Sequence, residues 1–116
     1  MYSDIRIAMS FRIEKINSLL VQEISAVLLR EIEFPQGVLV TIIKAKTTDD
    51  VKEAKIFISV LPFEKSDQVL DILRNNIYHI QQLLNKKLRM KPVPKIFFKI
   101  DASEEEAYKV ERALLE

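Results

Sequence analysis

A single glycine, Gly37, serves all 116 residues of this chain. Phosphate cradles of the dinucleotide-binding and P-loop kinds need several glycines, because a backbone without Cβ atoms is what lets successive amides close on a ligand. The chain has no means of building either, and nucleotide-dependent chemistry is not expected of it. Other chemistries fall away for similar reasons. There is no cysteine, which removes disulfides, iron–sulfur clusters, thiolate zinc sites and a thiol nucleophile. His79 is the one histidine, too few for a histidine metal site or a relay. No nucleophile–base pairing and no metal constellation stands out, so the expectation is a protein that is not an enzyme and carries no cofactor and no metal.

Hydrophobic residues make up 48% of the chain and charged ones 30%, a balance that suits one soluble domain over residues 1–116. A chain of this length buries roughly two thirds of its unfolded surface on folding, enough for one core. Residues 1–10 mix Asp4 and Arg6 with apolar positions and lack the apolar run of a secretory signal. Nowhere do about 18 apolar residues run together, as a membrane span requires. A cytoplasmic protein with no membrane partner is expected.

Apolar residues at Ile13, Ile16, Leu20, Ile24, Val27 and Leu28 share one helical face. A first helix is read from Ile13 to Ile32, with Ser10 as its cap and Pro35 and Gly37 ending it. Val38 to Thr48 is rich in β-branched residues and reads as a strand, with Thr41, Ile43, Ala45 and Thr47 on one face and Ile42, Lys44 and Lys46 on the other. Asp49 and Asp50 make a turn, a place where Asp is favoured because its carboxylate bonds nearby amides. A second strand alternates Ala54, Ile56, Ile58 and Val60 with Lys55, Phe57, Ser59 and Leu61 up to Pro62, antiparallel to the first.

From Ser66 to Met90 the positions Val69, Leu73, Ile77, Ile80, Leu84 and Leu88 keep helical spacing. Asn75 and Asn76, poor helix formers that compete for backbone hydrogen bonds, predict a bend or break near the middle. Pro92 and Pro94 end the helical run, and Ile96, Phe98 and Ile100 alternate with Phe97 and Lys99 as a third strand. Phe98 belongs in the core, and Phe57 is expected under the last helix. Ser103, followed by Glu104 to Glu106, caps that short helix with acids where the dipole favours them. A helical crossover leaves strands two and three parallel. The class is α+β: a mixed three-stranded sheet with helices packed on one face, in the order α-β-β-α-α-β-α.

The net charge of +1 conceals an uneven distribution. Residues 1–71 hold nine Lys/Arg and eleven Asp/Glu, residues 72–100 hold seven and none, and residues 101–116 hold two and six. The acid-free block is Arg74, Lys86, Lys87, Arg89, Lys91, Lys95 and Lys99. A helix dipole uses one or two cations in the last turn; seven without an acid among them mark a face for a polyanion. Arg89 can grip a phosphate bidentately while the lysines act as point charges, its rival role being an ion pair with Glu31 or Asp101. Tyr78 and His79 are candidates for stacking on an unpaired base.

Three blocks of this sequence, in order along the chain, carry a recognisable pattern. The first runs from Lys15-Ile16 through Leu20, Glu23-Ile24, Val27-Leu28 and Arg30-Glu31-Ile32 to Pro35. The second and sharpest is Ala54-Lys55-Ile56-Phe57-Ile58-Ser59-Val60-Leu61; the third is Leu88-Arg89 followed by Pro94, Ile96, Phe98, Asp101 and Ser103. Together the three blocks resemble the ribosome-binding factor A family, and the resemblance implies a type II KH-like fold and a bacterial cold-shock assembly factor that binds the immature 30S subunit and its 16S rRNA, assists late rRNA maturation, and works beside assembly GTPases. A monomer is expected. Relatives commonly carry an Ala-x-Gly kink between the two central helices; Asn76-Ile77-Tyr78 stand there in this chain. The kink candidates are therefore Asn75, Asn76, Ile77 and Tyr78. A competing reading, a non-enzymatic α+β protein-interaction or small-ligand module, would use an open sheet edge, with strand three as the candidate.

Overall fold

In the computed structural model the backbone is described for residues 2–115 and the side chains for residues 11–101, 103 and 110–115. Helix α1 covers Tyr2–Glu31, strands β1 and β2 cover Leu39–Thr47 and Glu53–Leu61, helices α2 and α3 cover Ser66–Asn75 and Ile77–Lys87, strand β3 covers Lys95–Ile100, and helix α4 covers Ala102–Leu115. A short 3-10 turn at Phe63–Lys65 leads into α2. The sheet order is β1-β2-β3, with β1 and β2 antiparallel and β2 and β3 parallel, the mixed sheet expected from the sequence.

Helix α1 starts well before Ile13. Residues 2–12 contain neither proline nor glycine, so nothing stops the helix from continuing back through Ser10, which lies within the helix and not at its start. The core is reached only from Ile16 onward: Ile16, Leu20, Ile24, Val27, Leu28 and Ile32 are buried, whereas Phe11 is exposed. Past the helix, the Pro35 carbonyl accepts a hydrogen bond from the Val38 N–H at 3.1 Å. Gly37 sits at φ 81°, the position in a type II turn that glycine fills without strain.

Ala54, Ile56, Ile58 and Val60 of β2, with Ile96 and Phe98 of β3, form the sheet's contribution to the core. Val69 and Leu73 of α2 and Ile80 and Leu84 of α3 are fully buried against it. In β1 the faces differ from a strict alternation. Ile42 pairs with Ile58 but Lys44 pairs with Phe57, so Ile43 is the extra residue of a β-bulge. The bulge shifts the phase by one residue: Ile42 joins Ala45 and Thr47 on the inner face, and Thr41 joins Lys44 and Lys46 on the outer one. At its end β1 is tied to α1 by Asn17, whose Oδ1 accepts from the Thr47 N–H at 2.9 Å and from the Thr47 hydroxyl.

In the β1–β2 turn the Asp50 carboxylate accepts from the Thr48 hydroxyl at 2.6 Å and the Lys52 N–H at 3.1 Å, the structural role expected of an aspartate there. At the start of α4 the cap is Asp101 rather than Ser103. Its Oδ1 accepts from the Ser103 N–H at 3.0 Å and from the Ser103 hydroxyl at 2.7 Å, the geometry of an N-cap serving the second helical residue. Glu104 to Glu106 lie outside the described side chains.

The two bonds from Ser103, chiefly that from its hydroxyl, hold the Asp101 carboxyl below its usual 3.8. A group whose folded pKa is depressed stabilises the fold above its unfolded value and loses that contribution as pH falls through the folded one. The first turn of α4 should therefore be intact at neutral pH and loosen below about pH 4. Amide exchange at Ser103 measured against pH checks this; Asp101→Asn should remove the dependence.

Candidate nucleic-acid interface

The helical pattern over Ser66 to Met90 resolves into two helices that meet at Asn76, a residue with φ −105° and ψ 6°. Its N–H is shared between the Ile72 and Leu73 carbonyls at 3.2 Å each, and its own carbonyl accepts from the Ile80 N–H at 3.0 Å. The side-chain Nδ2 donates to the Ile72 carbonyl at 2.7 Å, so Asn76 serves backbone groups of both helices, as buried polar groups require. Asn75 is exposed at the end of α2. Replacing both asparagines with alanine raises helix propensity by up to roughly 1.4 kcal/mol and removes a bond contributing about 1 kcal/mol, so thermal stability should hold within a few degrees. Backbone chemical shifts should then run helical through residues 74–79. A break that persisted in the variant would place its cause in the packing of Leu73 and Ile77.

The break opens a groove of about 560 Å³ between α2 and the outer edge of the sheet. Leu70 and Ile77 floor it, β3 forms its other wall, and Arg74, Lys95 and Lys99 stand around it with Phe97. These three are the part of the basic block that the fold brings to one cleft. Lys86 and Lys87 occupy the last turn of α3, and Arg89 and Lys91 follow in the segment leading to β3, all exposed. They form a second group outside the groove lining. Neither partner foreseen for Arg89 engages it: among the described residues Glu31 instead faces His79, Nε2 to Oε2 at 3.6 Å, and Asp101 is engaged by Ser103. Tyr78 is 76% exposed in the first turn of α3, away from the groove lining.

Between groove and helix end lies Gln81, a residue that no sequence pattern singles out. Its Nε2 donates to the Pro94 carbonyl at 3.0 Å and its Oε1 accepts from the Ile96 N–H at 3.0 Å, pinning the entry of β3 to α3. Phe98 is buried, as expected, and Phe97 is 37% exposed on the opposite face. Phe57 is half-buried beneath Lys44 Nζ, 5.0 Å from its ring centroid. Lys44, Lys46 and Lys55 share that outer face and were missed as site candidates. The signal was the Lys-x-Lys of β1 beside the Lys-x-Phe of β2, visible once register is known. Among the described residues no group of three metal-ligating side chains occurs, and no helix is long and apolar enough to cross a membrane.

The family model for ribosome-binding factor A matches residues 12–114. The chain belongs to that family. The family's proteins from Akkermansia muciniphila and Chlorobium phaeobacteroides are similar to it at 36% identity over 82% of this chain and 75% of theirs, and at 34% over 93% and 95%. The crystal structure of ribosome-binding factor A from Thermus thermophilus superposes with a TM-score of 0.60 at 16% identity, covering 74% of this chain and 92% of that one. A homology model of the Thermus thermophilus protein, fitted into a cryo-EM map of its complex with the 30S subunit, gives 0.62 at 16% identity, covering 74% and 91%. At that identity the structures establish a shared fold, here the α+β architecture.

Proposed function

We propose that this protein binds the immature 30S ribosomal subunit through its 16S rRNA and assists late maturation of that RNA without cutting it. The observation that carries the reading is the acid-free basic block, divided by the fold between a groove with apolar walls and the adjacent end of α3. Arg74, Lys95 and Lys99 suit an RNA backbone entering the groove, and Lys86, Lys87, Arg89 and Lys91 suit phosphates beyond it. The complex of the Thermus thermophilus relative with the 30S subunit supports the same target. Contacts of this kind act by favouring one RNA conformation over its competitors, which matters most in the cold, when misfolded helices escape slowly. Assembly GTPases are the expected companions at this stage, and the protein works in the cytoplasm as a monomer.

The test is sedimentation with purified small subunits. The protein should travel with precursor-containing 30S particles at low salt and be released as salt rises. Protein that stays at the top of the gradient at every salt concentration rules the reading out, as does cleavage of precursor rRNA by nuclease-free protein.

A further inference from the structure

The face of the sheet opposite the buried stripes of α1, α2 and α3 carries two cross-strand rows of one composition. In the first, Lys46 pairs with Lys55 and Lys55 with Phe97; in the second, Lys44 pairs with Phe57 and Phe57 with Lys99. Each row is one phenylalanine and two lysines, with the ring on β3 in one and on β2 in the other. Lys95 extends the face, its Nζ 5.5 Å from the Phe97 centroid. The five lysines are exposed, and among the described residues none forms an ion pair. Glu53, across from Lys95, is the one acid in these outward positions of β2 and β3. Like charges directly opposite, as at Lys46 and Lys55, destabilise a sheet; Lys44 has the Asp101 carboxylate within reach of its charge, and the other four lysines are left for an external anion.

We infer that this face is a second RNA-binding surface, on which Phe57 and Phe97 stack two successive unpaired nucleotides while the surrounding lysines take their phosphates. The spacing fits. Diagonal neighbours on adjacent strands lie about 7–8 Å apart, close to the rise of an extended single strand from base to base, and aromatic rings on an open sheet accept unpaired bases of any sequence. In the free protein Lys44 and Lys95 lie over the two rings; on binding, each exchanges its ring for a phosphate and leaves the ring to a base. The surface stands apart from the helix-end cluster at Lys86 to Lys91 and meets the groove at β3, so one strand can leave the groove and cross the sheet. The inference rests on the proposed RNA-binding role and extends it to single-stranded segments.

Hexauridylate and a 12-base-pair RNA duplex, titrated into the full chain at 0.1 M salt, test it. Phe57→Leu with Phe97→Leu keeps apolar bulk and should weaken hexauridylate binding about tenfold to a hundredfold while leaving duplex binding unchanged. In the unaltered protein the ring protons of both phenylalanines should shift on adding hexauridylate, a readout that does not depend on how well the variant folds. Unmoved rings, hexauridylate binding equal in a folded variant, or equal displacement by polyglutamate of matching charge would each overturn the inference, the last by pointing to an acidic protein instead. Failure of the broader reading looks different: there the protein does not sediment with small subunits, whatever hexauridylate does.

Discussion

Alanine at Lys86, Lys87, Arg89 and Lys91 together should lower affinity for the small subunit by roughly two to three orders of magnitude at 0.1 M salt, the largest loss expected from any surface change. The reasoning is counterion release: each phosphate contact on single-stranded RNA contributes about 0.7 to the log–log salt slope, so four lost contacts flatten it by about three units. The fold should survive, because all four side chains are exposed and none forms an ion pair among the described residues. The last turn of α3 loses two favourable dipole interactions, each contributing about 0.3–1 kcal/mol. Affinity measured over a salt series decides the matter. A folded variant with the original slope means that these cations do not touch phosphate.

For stability the largest single change should come from Leu20→Ala. Leu20 is fully buried on the stripe of α1 that packs against β1 and α3, and truncation of such a leucine costs about 2–5 kcal/mol of a total that is typically about 5–15. Urea denaturation should show the midpoint falling at an unchanged slope. A loss under about 1 kcal/mol would mean that α1 is not docked on the sheet through this stripe. Since Leu20 lies far from the basic block in sequence and faces inward, subunit binding below the melting temperature should persist.

Much of the fold was legible because the core positions obey simple periods. Ala54, Ile56, Ile58 and Val60 alternate, and Ile16, Leu20, Ile24 and Val27 step by three and four, so face and element type follow directly. The failures share a cause: each depends on a contact between parts of the chain that a local pattern cannot contain. The β-bulge at Ile43 is invisible because Thr41, Ile42 and Ile43 suit either face by composition. The early start of α1 was missed because residues 2–12 are helix-permissive without being apolar-periodic. Asp101 displaced Ser103 as the cap because both are good cap residues two positions apart and the end of β3 decides between them. In the candidate site the charges were readable from the sequence; their division between groove and helix end was not, since Arg74 and Lys95 are joined only by the packing of α2 on β3. Phe57 and its lysine neighbours were hidden for the same reason, three strands contributing to one surface.

The Gln81 amide has a bearing on how the edge of the sheet is occupied. Since β3 ends the sheet, its outward backbone groups are the natural landing place for a strand from a second copy or a partner. Gln81 presents one donor and one acceptor to Pro94 and Ile96, imitating the edge of a neighbouring strand at the point where pairing would begin. An incoming strand must therefore compete with a tethered group, whose effective concentration lies in the millimolar range or above. Strand addition at this point of the edge is thereby disfavoured, because the outward groups of Pro94 and Ile96 are already paired.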